Sequence, residues 1–147
     1  MKTIPRWTLV AALTLFALPG RADAPPGRFV ATNGTVADTL TTLEWQQVDD
    51  DAYRTQDVAR TYCNGLTLGG SSDWRLPTVK ELLTLVNHEL TPSSPSIEPV
   101  FTGTDNEVYW STTPLAGSAS KAWGVFFGPG EATNGSVSNA ARVRCVR

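Results

Sequence analysis

The ten residues from Asp73 to Leu82 (Asp-Trp-Arg-Leu-Pro-Thr-Val-Lys-Glu-Leu) constrain the fold more than any other stretch of this chain. They read as a short strand halted at Pro77 and turned at once into a capped helix. Pro77 has no N–H to donate, and its ring pushes Leu76 towards extended geometry. Thr78 and Glu81 stand at capping-box spacing, so two backbone N–H groups orphaned at the helix start can be satisfied reciprocally. Behind the cap, Val79, Leu82, Leu83, Val86 and Leu90 recur at helical spacing. They predict a helix from about Val79 to Glu89 with one apolar face.

The start of the chain has the pattern of an export signal. Lys2 and Arg6 precede an almost wholly apolar run from Trp7 to Leu18, broken by Pro19 and Gly20, with small-x-small sites at Gly20–Ala22 and Ala22–Ala24. Cleavage after Ala22 is favoured, because cutting after Ala24 would leave Pro25 against the protease. The run of 12 residues is short of the roughly 20 needed to span a bilayer, so residues 1–22 are expected to be removed and no transmembrane segment to remain. Residues 23–27 then form a leader, and 28–147 a single domain. Losing Lys2, Arg6 and Arg21 leaves nine basic residues against all fourteen acidic ones, a net charge of −5. A nucleic-acid partner needs a basic footprint, so that class is excluded.

Cys63 and Cys145 are the two cysteines. In an exported protein an even pair reads as one disulfide. Closing a loop of about 80 residues, it is worth roughly 4 to 5 kcal/mol in the chain-entropy model. Along the domain the pattern mixes helices and strands. Arg28–Val30 and Thr35–Asp38 flank Asn33-Gly34, a hairpin signal, and Trp45 after the next turn is expected to anchor the core. Thr55 begins a first helix carrying Val58, Ala59, Tyr62, Cys63 and Leu66 on one stripe, closed by Asn64-Gly65. Val108–Thr112, Ala122–Phe127 and Arg142–Val146 read as strands. Thr91–Thr104 is a long proline- and serine-rich connection, and Gly128–Asn139 a polar loop. The expected class is therefore α+β: one domain with two helices packed on a mostly antiparallel sheet, stapled by Cys63–Cys145.

Five ordered motifs also carry a resemblance. They are Leu43-Glu44-Trp45 after Thr35-Val36-Ala37-Asp38, Tyr62-Cys63 with Leu66 and Leu68-Gly69-Gly70, Asp73 to Thr78, Tyr109 to Thr113, and Val143 to Arg147. In this order they resemble the bacterial domain family typified by the C-terminal domain of the Legionella collagen-like adhesin. The Trp74-Arg75-Leu76-Pro77-Thr78 helix start is also similar to that of the formylglycine-generating enzymes. By analogy this implies a C-type-lectin-like fold, which by itself implies no shared activity. The Glu-Pro-Asn and Trp-Asn-Asp triplets of the usual lectin Ca²⁺–sugar site are missing.

The candidate sites follow from both readings. In the lectin analogy the edge holding Asp105, Asn106 and Glu107 faces ligands, and these three are the expected contact residues. Trp74 and Trp110 are expected in the core, with Arg75, Pro77, Thr78 and Glu81 completing the structural motif; Arg75 would hydrogen-bond loop carbonyls. Asp49-Asp50-Asp51 reads either as a solvated loop before the first helix or as a cation contact, without EF-hand spacing. No cofactor is predicted, and Ca²⁺ has no recognisable motif. His88 is the only histidine and would suit the C-terminal end of the second helix. No Gly-x-Ser-x-Gly elbow appears. The expected function is a non-catalytic exported binding domain, periplasmic or at the cell surface, with a glycan or an envelope protein as partner. The alternatives are an enzyme of the formylglycine-generating type and a purely structural envelope protein.

Overall fold

The computed structural model describes residues 24–90 and 95–147. The predicted export signal and its cleavage point lie outside the described residues, as do residues 91–94 of the long connection. The described residues form six strands and two helices, in the order β1 (Phe29–Thr32), β2 (Thr35–Asp38), β3 (Glu44–Gln46), α1 (Gln56–Asn64), α2 (Val79–Leu83), β4 (Val108–Leu115), β5 (Ser118–Phe126) and β6 (Glu131–Ser136). This is the α+β class expected, with antiparallel pairing within each sheet, but the strands divide into two three-stranded sheets, β1-β2-β3 and β4-β5-β6. Among the described residues no helix is long and apolar enough to cross a membrane.

Local chemistry sets the first sheet. Asn33 and Gly34 both take positive φ, at 53° and 82°, which gives the two-residue turn between Thr32 and Thr35 its favoured twist. Asp38, 1% exposed, closes the next turn: it accepts from Arg28, from the Leu40 amide and from the Thr41 hydroxyl.

The Pro77–Glu81 corner forms as its residue types dictate. Thr78 Oγ1 accepts from the Glu81 amide, and the Glu81 carboxylate accepts from the Thr78 amide at 2.7 Å. That carboxylate also takes both Arg75 terminal nitrogens, at 2.9 and 2.7 Å. Arg75 therefore pairs with Glu81 and not with loop carbonyls, because a fork of two donors matches a carboxylate better than any single carbonyl. Pro77 is buried, and its carbonyl accepts from the Thr112 amide at 2.7 Å, which docks the corner on β4.

Four expectations need correction. Helix α2 ends at Leu83 and not near Glu89: the amides of Thr84, Leu85 and Val86 each bond three residues back, and the Asn87 amide then bonds Ser96. Thr84, Val86 and Asn87 are weak helix formers, and Leu85 reaches the core from a turn as well as from a helix. His88 is consequently exposed beyond the helix, with no helix end to neutralise. The stretch Gly128–Asn139 is not a loop; it contains β6, an edge strand paired with β5. In α1, Thr55 occupies the N-cap position without a side-chain cap bond, Gly65 keeps right-handed geometry, and Val58 is 53% exposed.

The last segment gives the fourth correction. Arg142–Val146 joins no sheet as a full strand. It is instead stitched by single bridges: Ala141 to Arg54, Arg142 to Tyr109, and Val146 to both Trp45 and Arg75. All six residues from Ala141 to Val146 are buried, so Arg142 and Arg144 are covered as fully as Val143 and Cys145. This segment separates two core clusters. Val146 joins Val36, Trp45, Leu82, Tyr109, Val125 and Phe127, whereas Val143 and Cys145 join Ala59, Cys63, Trp74, Leu76, Trp110 and Ala122. Successive residues Tyr109 and Trp110 point to opposite faces of β4 and so enter different clusters. Cys63 and Cys145 form the expected disulfide, 82 residues apart in sequence.

Two measurements follow. Reduction, or Cys63→Ala with Cys145→Ala, is expected to lower the urea midpoint by an amount equivalent to about 2–5 kcal/mol; an unchanged midpoint would mean that the terminal segment holds without its staple. The Arg75 hydrogen bonds, with those of Thr78 and against the cost of burial, hold the Glu81 carboxyl at a pKa of about 2. A depressed carboxylate stabilises the fold above its unfolded pKa and loses that contribution as pH falls. Denaturation midpoints should therefore decline between about pH 5 and pH 2, and Glu81→Gln should flatten that decline while costing about 1–2 kcal/mol at neutral pH.

Candidate functional site

The acidic run and the terminal arginines, far apart in sequence, meet in space. Each of the three carboxylates has its own partner. Asp49, 8% exposed, accepts from the Tyr109 hydroxyl; Asp50 pairs with Arg54; and Asp51, where the backbone turns through a positive φ of 58°, pairs with Arg142. The run is therefore partnered within the chain, while Asp50 and Asp51 stay exposed to solvent. Among the described residues, no group of three His, Cys, Asp or Glu side chains gathers as a metal site.

Arg144 forms the inner half of this network. It is fully buried and donates to the carbonyls of Gln46 and Gln47 at 2.6 and 2.5 Å and to Thr104 Oγ1 at 2.6 Å. Its guanidinium also lies near the rings of Phe101 and Tyr109, at 5.4 and 5.8 Å. This is the carbonyl-binding role expected of Arg75. Burial pulls the Arg144 pKa below its ordinary value, with Tyr109 and Asp49 acting against it. Guanidinium nevertheless stays charged in proteins. Burial pushes the Tyr109 phenol above its ordinary pKa, and the hydrogen bond to Asp49 adds to the shift.

Arg142 forms the outer half. It lies just under the surface, 6% exposed because its neighbours cover it. The Tyr53 ring lies over its guanidinium at 4.3 Å, and the carboxylates of Asp51 and Asp105 flank it. The Asp51 contact is an ion pair without hydrogen-bond geometry, whereas Asp105 accepts a hydrogen bond. Burial alone would lower the Arg142 pKa; Asp51, then Tyr53 and Asp105, outweigh it and hold it above the ordinary value. The partners remain open to solvent: the side chains of Asp51 and Asp105 are 84% and 50% exposed, and Tyr53 is 52% exposed.

The expected contact residues fall on this face in different ways. Asp105 is part of it, its carboxylate on Arg142 and its amide donating to the Tyr109 hydroxyl at 3.2 Å. Asn106 and Glu107 are exposed beside it, and the Glu107 carbonyl accepts from Phe127. Trp74 and Trp110 are each 2% exposed and lie in the core. The Trp74 indole donates to Leu68 and Ser71, and that of Trp110 to Arg54. Sequence reasoning missed Tyr53, Asp51 and Arg142. A signal was available: two arginines alternating with Val143 and Cys145 need acceptors once both faces of the segment are buried, and Asp51 of the acidic run supplies one for Arg142.

Residues 34–147 match the Lcl C-terminal domain. The chain belongs to that family. The match includes the Asp49–Asp51 turn, the Trp74–Glu81 corner, the disulfide and the terminal arginines of this Lcl-type domain. No curated protein matches the chain in sequence.

The network carries a pH prediction of opposite sign to that of Glu81. A phenol whose native pKa is raised contributes stability that is present below the unfolded value of about 10 and is lost as pH rises above it. Alkaline titration followed by ultraviolet absorbance should therefore show one tyrosine ionising only with unfolding. Tyr109→Phe should remove that step and leave Asp49 Oδ2 without its donor, at a cost of about 1–3 kcal/mol. A Tyr109 that ionises in the folded protein near pH 10 would contradict the burial described.

Proposed function

We propose that this domain is a non-catalytic binding module of the bacterial envelope and that its Tyr53–Arg142 face contacts a hydroxyl-rich surface glycan. The observation that carries this reading is the half-exposed Tyr53 ring, set on a covered guanidinium between two solvent-facing carboxylates. An aromatic face offers stacking area to the C–H face of a sugar, and fixed carboxylate oxygens accept hydroxyl protons. Because Arg142 already holds these groups, little ordering entropy is lost on binding. The acidic character of the face disfavours polyanionic chains.

Membership of the Lcl C-terminal domain family supports a surface-associated role. Export is supported by the disulfide, which belongs to an oxidising compartment, and by the signal pattern of residues 1–22. The non-catalytic reading is supported by how the reactive groups are used. Both cysteines are bonded to each other, and the strongly shifted groups Glu81, Tyr109 and Arg142 are engaged by structural partners.

A glycan array tests this, run on the purified protein as a monomer and as an artificial multimer, with and without Ca²⁺. Binding is expected to be strongest in the multimer and to fall about tenfold in Tyr53→Ala, the loss of one stacking contact. It should fall further when Asp105, Asn106 and Glu107 are replaced together. Binding unchanged by Tyr53→Ala would displace the site, and silence in every format would favour an envelope-protein partner.

A further inference from the structure

A recess of about 330 Å³ opens between α1 and the β4–β5 hairpin and takes no residue from the Tyr53–Arg142 face. Helix α1 supplies Gln56, Asp57 and Arg60, β4 supplies Pro114, and β5 supplies Ala119 and Lys121. These positions share a side: Gln56 and Arg60 stand four apart on a helix, and Ala119 and Lys121 two apart on a strand.

Charge without a partner distinguishes this recess. Arg28, Arg54, Arg75, Arg142 and Arg147 each pair with a carboxylate, and Arg144 is met by carbonyls. Arg60 is the exception among the described arginines: its side chain bonds only Gln56 Oε1, at 3.5 Å. The side chains of Lys121 and Asp57 make no hydrogen bond or ion pair among the described residues. Gln56 is 6% exposed, and its amide nitrogen donates to the Ser111 carbonyl at 2.8 Å, which leaves its Oε1 as a fixed acceptor beside Arg60.

The lining specifies the ligand's chemistry. A neutral ligand would leave every charge unmatched, and a polyanion would meet Asp57 as a like charge. A ligand with one carboxylate and one ammonium matches both signs at once. The volume is near the low end of the roughly 300–1,000 Å³ of small-molecule sites, so the ligand is small. We propose that this recess binds a free α-amino acid or a dipeptide as its zwitterion. The carboxylate would lie on Arg60 and Lys121, the ammonium on Asp57 and Gln56 Oε1, and an apolar side chain against Pro114 and Ala119. The site does not rest on the glycan reading of the loop face. Its three charged groups are exposed, where each ion pair contributes little. The Kd is therefore expected on the order of 1 mM, and to rise with added salt.

The test is a ¹⁵N NMR titration of the purified protein near neutral pH with leucine and with alanyl-leucine, which separates the amino acid from the dipeptide. Leucinamide, which lacks the carboxylate, 4-methylpentanoate, which lacks the ammonium, and inorganic phosphate serve as the comparison. The expected result is saturable shifts for at least one zwitterion, centred on the amides of Asp57, Arg60 and Lys121, with all three comparison ligands weaker by about fivefold or more. Arg60→Gln and Lys121→Gln, both at exposed positions, should each weaken zwitterion binding about fivefold. Asp57→Asn should weaken it by a similar factor without weakening 4-methylpentanoate. No saturable shift with either zwitterion would overturn the proposal, as would affinity unchanged in the three variants. Phosphate or 4-methylpentanoate binding as tightly as leucine would also overturn it, by showing a plain cationic patch.

Discussion

The rest of the domain depends on one buried cation. Arg144 sits in the interior with no carboxylate in direct contact, and what compensates its lost hydration is a set of fixed oxygens: two carbonyls at the end of β3 and the Thr104 hydroxyl. A buried charge is tolerated when most of its donors are met in this way, as both terminal nitrogens of Arg144 are, while its Nε has no partner among the described residues. Arg144 therefore couples three segments that are distant in sequence: the turn after β3, the approach to β4 and the terminal stitch. Gln46 reinforces the same junction, since its side-chain oxygen accepts from the Cys145 amide and its amide donates to Tyr62. Cys145 is next in the chain and carries the staple to α1. Polar satisfaction and covalent closure thus meet within two residues.

The same segment carries structure outward to the face proposed for binding. Arg142, two residues before Arg144, reaches the surface side of the stitch and positions Tyr53, Asp51 and Asp105. Tyr109 links the two halves: its hydroxyl joins Asp49 to the Asp105 amide, and its ring packs edge-on to Phe127 at 5.2 Å. An exposed face supported in this way is rigid because of what lies under it. Rigid support of polar loop groups is the usual requirement for recognition without large conformational change.

How much was legible in the sequence depended on whether the signal was local. The Asn33-Gly34 hairpin, the Pro77–Glu81 corner and the disulfide each follow from residue chemistry acting over a few positions or from a single pair, and all three formed as expected. β6 was not legible because Glu131–Ser136 is a polar edge strand with no apolar periodicity to report it. The end of α2 was not legible because Leu85 and Val86 keep helical spacing while the backbone tightens into turns. Asp105 was reached only by analogy. Its partner Arg142 reads as a strand residue but is a buried residue of an isolated bridge, because burial on both sides of the terminal segment is a tertiary property. The exchange of roles between Arg75 and Arg144 has the same origin: each arginine took the acceptors that the fold placed beside it.

The terminal segment is an integral stitch of the core and not an appended strand. Native-state hydrogen exchange tests this directly, read at the amides of Ala141, Arg142 and Val146, which donate to Arg54, Val108 and Arg75. The predicted result is exchange as slow as in central strand β5, occurring only through global unfolding. Faster exchange of residues 141–146, at a lower free energy than β5, would show that the segment detaches by itself and would contradict the account.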